Sequence, residues 1–134
     1  MTQENKDLLF QDINGRLTYG VKAYIKNWSK LDRKYYEGVY TIESTHPSLN
    51  IIFATTDRGS VEVILGYDDY VFKPYLFPLS SMTEEQEEEY NTMYEENRYS
   101  WKENIIDWFH KNHLDYRGLI PKGLAIDATG LNIY

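Results

Sequence analysis

Residues 83–96, Thr83-Glu84-Glu85-Gln86-Glu87-Glu88-Glu89-Tyr90-Asn91-Thr92-Met93-Tyr94-Glu95-Glu96, divide the chain into two halves of different character. The stretch holds seven glutamates and neither lysine nor arginine, so it carries the entire net charge of −7, while the rest balances fourteen acids against fourteen bases. Thr83 to Gln86 has the form of a capping box, in which the Thr83 hydroxyl accepts from a helix amide and the Gln86 side chain reaches back. Glu84 and Glu85 lie at the positive end of the helix dipole, where a carboxylate is favoured. Glu87, Glu88 and Glu89 lie beyond that help and repel one another. Tyr90, Met93 and Tyr94 supply the apolar stripe of the helix that this pattern predicts.

Upstream, the sequence reads as short extended runs separated by turns. Thr18 to Lys26 alternates, with Val21, Ala23 and Ile25 on one face and Lys22, Tyr24 and Lys26 on the other. Asn27 to Lys34 is a polar connection. Tyr36 to Glu43 follows as a strand with Val39 and Thr41 on one face and Tyr40 and Ile42 on the other. His46-Pro47-Ser48 then turns into the apolar run Leu49 to Ala54. Asp57-Arg58-Gly59 supplies a reversal, because glycine tolerates the positive φ of tight hairpins, and Ser60 to Leu65 returns as a strand. In the extended segment Tyr70 to Phe77, Pro74 lacks an amide proton and belongs at a sheet edge or a strand end. Before all of these, Asn5 to Ile13 places Leu8, Leu9 and Ile13 on one helical face, with Asn14-Gly15 as its stop, although Leu17 can extend the stripe.

Downstream the period changes. Ser100-Trp101-Lys102-Glu103 is a second capping box, and Trp101, Ile105, Trp108 and Phe109 form an inward stripe, so two helices are expected rather than one. Pro121 and Gly123 break the remaining segment, Asp115 to Tyr134, into a helical turn and an extended end. The reading is one α+β domain over residues 1–134: an N-terminal helix, a mainly antiparallel sheet of four to five strands, and C-terminal helices packed on one face.

Composition narrows the function classes. With 42% apolar and 26% charged residues the chain has a globular make-up, and thirteen tyrosines exceed what a core of this size satisfies, which sends some to the surface as interface rings. The absence of cysteine removes disulfides, thiolate metal sites and thiol nucleophiles. Residues 1–10 have no apolar signal-like stretch, and no apolar run approaches a bilayer's thickness, so the expected location is the cytoplasm, without membrane insertion.

Three features compete for a functional role. Lys22, Tyr24, Lys26, Trp28 and Lys30 interleave cations with rings, as single-stranded nucleic acid requires, although the acidic whole opposes a polyanion. That same patch can equally meet the acidic helix. Glu87, Glu88 and Glu89 are read as a protein-contact surface, against the simpler account of a solvated helix face. Asp107, His110 and His113, three residues apart, are the most metal-like group, but successive steps of three drift around a helix, and no second ligand cluster accompanies them. Asp12 to Gly15 lacks the later acids of a calcium loop, and Asp68-Asp69 reads as a turn. No nucleophile elbow or phosphate-cradling glycine loop occurs, and no cofactor is implied.

Three segments add a resemblance: Arg16 to Val21, the run Lys73-Pro74-Tyr75-Leu76-Phe77-Pro78-Leu79-Ser80-Ser81-Met82-Thr83-Glu84-Glu85, and Ile106-Asp107-Trp108 with His113-Leu114-Asp115-Tyr116-Arg117-Gly118-Leu119-Ile120. The chain resembles a group of small uncharacterised gut-bacterial proteins associated with phage and other mobile elements. The likeness implies a context rather than an activity, and it draws attention to Tyr116 and Arg117, residue types enriched at binding hot spots. A structural account of the same run has Asp115 capping a turn, Tyr116 burying its ring and Arg117 pairing with an acid. The expected role is non-catalytic recognition of another protein, with single-stranded nucleic-acid binding through Lys22 to Tyr36 as the second reading.

Overall fold

The computed structural model describes residues 1–96 and 101–134, and the α+β architecture stands: an N-terminal helix, a mainly antiparallel sheet and C-terminal helices. Helix α1 spans Gln3–Arg16, capped where the Thr2 hydroxyl accepts from the Asn5 amide at 3.1 Å. Strands β1 (Lys22–Ser29), β2 (Lys34–His46), β3 (Ile51–Thr56), β4 (Gly59–Ile64) and β5 (Tyr70–Pro78) follow, then helices α2 (Glu84–Glu96) and α3 (Trp101–Lys111) and two short strands, β6 (Leu114–Asp115) and β7 (Ile126–Asp127). The sheet order is β4-β3-β2-β1-β5-β6, with β7 also on β5. All pairings among the first five strands are antiparallel, while β6 and β7 join β5 in parallel.

The four to five strands expected are thus five long ones and two that periodicity could not show, since a two-residue strand has no period. They dock where β5 changes partners: Pro74 closes the β1 ladder opposite Ala23, and β7 pairing begins at Tyr75. Lacking an N–H, proline fits a ladder end.

Alternation sets the inner face. Val21, Ala23 and Ile25 are fully buried and meet Ile42, Ile52, Ala54, Val63, Phe72 and Leu76 from neighbouring strands. Leu9, Phe10 and Ile13 of α1 pack onto this layer, and Leu119, Leu124 and Ala125 complete it. Each such Leu or Ile contributes about 1.5–3 kcal/mol by leaving water. A second core holds Ile105, Trp108 and Leu114, with Phe77, Met82, Tyr90, Met93 and Phe109 against it. Helices α2 and α3 form an antiparallel pair, since Gln86 meets Asn112 and Glu89 meets Trp108.

The capping box at α2 is formed in both directions: Gln86 N–H donates to Thr83 Oγ1 at 3.1 Å, and Thr83 N–H donates to Gln86 Oε1 at 3.0 Å. The second box, expected at Ser100 to Glu103, falls outside the described residues and side chains. Several boundaries move for identifiable reasons. Helix α1 continues through Asn14-Gly15 to Arg16 because Arg16 bonds Asp12 one turn earlier; Gly15 instead makes room for His110, whose Cε1 would lie 2.3 Å from an added Cβ. Strand β1 begins at Lys22 rather than Thr18, because Leu17–Tyr19 forms a 3-10 turn and Gly20 turns left-handed at φ 68°. At the other end β1 takes in Asn27 to Ser29, expected as connection, which pair with Lys34 to Tyr36 in a long hairpin.

Candidate functional site

The β1 register places Lys22, Tyr24, Lys26 and Trp28 on the face opposite the core. Cross-strand partners fix their neighbours. Tyr24 lies between Lys73 of β5 and Val39 of β2, Lys26 between Val71 and Glu37, and Trp28 opposite Tyr35. Phe53 and Glu62 pair with each other further along the same outer face. This face is open to solvent: Tyr35 is 57%, Val39 42% and Val71 37% exposed. Aliphatic and aromatic side chains left in water together on one sheet face make it a candidate interaction site.

The groups on the face are already organised among themselves. Trp28 and Tyr35 meet edge to face, with ring centroids 4.9 Å apart at 62°. The Lys26 ammonium lies 4.6 Å from the Tyr35 ring centroid, a cation–π contact. The Tyr24 hydroxyl donates to Glu37 Oε2 at 2.6 Å, and that hydrogen bond is the chief cause that raises the Tyr24 pKa above its ordinary value. Lys22 is held at one corner by the C-terminus: its Nζ donates to the Ile133 carbonyl at 3.1 Å, and its amide donates to the Tyr134 hydroxyl at 2.8 Å. Lys30 is exposed in the β1–β2 turn beyond the face. Of the five residues singled out in the sequence, four share the face and one lies past its end. Lys73, Tyr35, Val39 and Val71 join them only through strand pairing, which sequence spacing does not reveal.

The remaining candidates lie elsewhere. Glu87, Glu88 and Glu89 are all exposed on α2, and Glu89 also accepts from Trp108 Nε1 at 2.9 Å. Tyr116 and Arg117 belong to a buried polar cluster at the end of α1. One carboxylate, Asp12, serves two guanidiniums there. Arg16, fully buried, donates to Asp12 from Nε at 2.8 Å and from Nη2 at 3.1 Å, and from Nη2 to the Leu114 carbonyl at 2.7 Å. Arg117 Nε lies 3.2 Å from the same carboxylate. The Tyr116 ring stacks on Phe109 at 5.0 Å and 14°, receives Arg117 at 4.9 Å and Arg16 at 5.6 Å, and its hydroxyl bonds His110 Nε2 at 2.8 Å. Asp115 accepts from the Leu119 and Ile120 amides, each at 2.9 Å, and so caps the next turn.

Asp107, His110 and His113 are sent to three different partners: Asp107 accepts from the Tyr19 hydroxyl, His110 bonds Tyr116, and His113 stacks on Tyr134 at 3.6 Å. Burial, then the Arg16 charge, hold the His110 imidazole below its ordinary value. The same causes in the same order, with Lys22 added, push His113 down to about 4. Among the described residues no group of His, Asp or Glu is placed to hold a metal ion, and no helix is long and apolar enough to cross a membrane.

Comparison with protein-family models, with curated proteins and with solved structures returned no match.

Proposed function

We propose that this chain is a non-catalytic protein-recognition module that takes its partner on the outer face of β5, β1 and β2. The observation that carries the reading is the position of Val39 and Val71, solvent-exposed aliphatics set among Tyr24, Trp28, Tyr35, Lys26 and Lys73. Exposed aliphatics and rings interleaved with charges on one sheet face fit a protein interface. The matching partner surface has apolar groups over each valine and carboxylates toward Lys26 and Lys73. Nucleic acid fits the same face less well. Trp28 and Tyr35 are turned on each other, Lys26 occupies a Tyr35 face, Lys22 is held by the C-terminus, and Glu37 would meet phosphate with like charge. A cytoplasmic setting in the life of a mobile element is part of the proposal and rests on the resemblance of the Lys73 to Glu85 and His113 to Ile120 segments.

The test is affinity capture from the native host at low and moderate salt, with the wild-type chain beside a Val39→Glu/Val71→Glu variant shown by circular dichroism to be folded. A protein retained by the wild type and lost by the variant supports the reading. Empty capture at both salts, or equal capture by the variant, refutes it. Recovery of oligonucleotide that disappears with Lys26→Glu and falls steeply with salt would put single-stranded nucleic acid in its place.

A further inference from the structure

Strand β2 outruns the strand beside it. Its pairing with β1 starts at Lys34 opposite Ser29, but its pairing with β3 starts only at Thr41 opposite Thr55. Along Lys34 to Tyr40, therefore, β2 has a ladder on one side. Residues of an antiparallel strand turn their N–H and C=O groups alternately to the two sides, so half the backbone groups of this stretch point away from β1 with no β3 residue opposite. The gap is a cleft of about 690 Å³ between the β1–β2 hairpin and the β3–β4 turn, lined by Asn27, Tyr36, Gly38, Tyr40, Arg58 and Ser60 among others. That volume is in the range of ligand sites.

One further detail sets this cleft apart from an ordinary strand edge. Gly38 lies in the strand interior opposite Ile25, yet an added Cβ there would meet nothing nearer than Tyr40 Cε2 at 3.9 Å, an ordinary contact. The protein's own packing thus gives no reason for glycine at a position where glycine weakens a strand. A strand glycine with open space above it fits the close approach of another backbone.

We infer that the cleft receives an extended peptide segment of another protein, which adds to β2 from Lys34 to Val39 as a strand in line with β3. Six residues of strand span about 20 Å. Main-chain hydrogen bonds to the free edge supply the affinity, and alternate side chains enter the cleft over Gly38, the arrangement of β-strand addition. The site borders the recognition face at Glu37 and Val39, which also line the cleft. Asn27, Tyr36 and Gly38 lie on the core side of the sheet, whereas Tyr24 and Val71 lie on the other side and away from the free edge, so Gly38 and Val71 variants separate the two.

The probe is a displayed library of random dodecapeptides, selected on the wild-type protein and counter-screened on Gly38→Phe, whose ring would fill the cleft. Peptides that enrich on the wild type should bind Gly38→Phe at least about tenfold more weakly, the loss of about one net main-chain hydrogen bond. They should bind Val71→Glu, which lies on β5 on the far side of β1 from the free edge, unchanged. N-methylation of alternate peptide amides should weaken binding to the wild type by a similar factor while the intervening amides tolerate it, and this arm needs no folded variant. The proposal is overturned if no peptide enriches, if Gly38→Phe binds as well as wild type, or if the N-methyl scan is flat. A wild-type dimer that Gly38→Phe dissociates would overturn it too, by giving the edge to a second copy of the chain.

Discussion

Replacing Asp12 with asparagine keeps the shape of the side chain and removes the one charge that Arg16 and Arg117 share. Both Asp12 and Arg16 have no solvent exposure, and Arg16 makes two hydrogen bonds to the carboxylate and one to the Leu114 carbonyl. A guanidinium cannot shed its proton, so the variant retains a buried cation without a counter-charge. Breaking a buried pair from one side costs about 3–5 kcal/mol. Arg117, 22% exposed, can swing toward water, whereas Arg16 has no such exit, so the cost is set by Arg16 and stays within that range. Against a total stability of about 5–15 kcal/mol for a domain of this kind, the loss is large. Equilibrium urea unfolding at pH 7, followed by tryptophan fluorescence and circular dichroism with an unchanged m-value, measures it. Added salt should recover little, because the pair is shielded from the ionic atmosphere. Replacing both partners, Asp12→Leu with Arg16→Met, should cost less than Asp12→Asn alone, since no charge is stranded. A loss below about 1 kcal/mol for Asp12→Asn, or a double variant less stable than the single, would refute the reasoning, for then the carboxylate would not be compensating a trapped charge.

Two further outcomes follow from the same region. His113 is pushed down to about 4, so the unfolded chain binds a proton that the folded chain refuses between that value and the ordinary one near 6.5. Stability should be fully present above the ordinary value and fall as pH drops through this window, with a slope approaching about 1.4 kcal/mol per pH unit for this residue. His113→Asn keeps the left-handed backbone at φ 57° and should flatten the profile; an unchanged slope in urea titrations across that window would dismiss the assignment. Gly15→Ala would bring a Cβ to 2.3 Å from His110 Cε1, and overpacking of this kind costs about 1–3 kcal/mol despite alanine's better helix propensity. Thermal unfolding that shows Gly15→Ala as stable as wild type would mean that the His110 ring moves aside freely.

Much of the fold was legible because it rests on local chemistry. The α2 capping box lies within four residues and formed as read, and the alternation of Val21, Ala23 and Ile25 named the buried side of β1. The buried ion pair was also visible in principle. Asp12 and Arg16 fall at helical spacing on the stripe that begins at Leu9 and runs through Ile13, and charges of opposite sign one turn apart inside an apolar stripe signal a pair taken into the core. It went unread because Asn14-Gly15 looked like a stop. The glycine answers instead to His110, a residue far away in the chain, and no local rule contains that contact.

By itself, then, the sequence determined the class of the protein: which long stretches are helix or strand, where α2 begins, which side of β1 is buried and where the net charge resides. Each of these depends on period, cap or turn within a few residues. Tertiary structure alone decided the rest. Register between strands set Lys73 and Val71 beside Tyr24 and Lys26, so that a patch read along one strand became a face shared by three. The unequal ends of β1 and β3 on β2 left an unpaired edge and a cleft. The acidic stretch from Thr83 to Glu96 stayed a capped helix, and Glu89, while still exposed, gained a bond from Trp108 because α3 folds back against it. Contacts between segments distant in the chain depend on which surfaces meet, and a linear pattern carries the faces without the pairing.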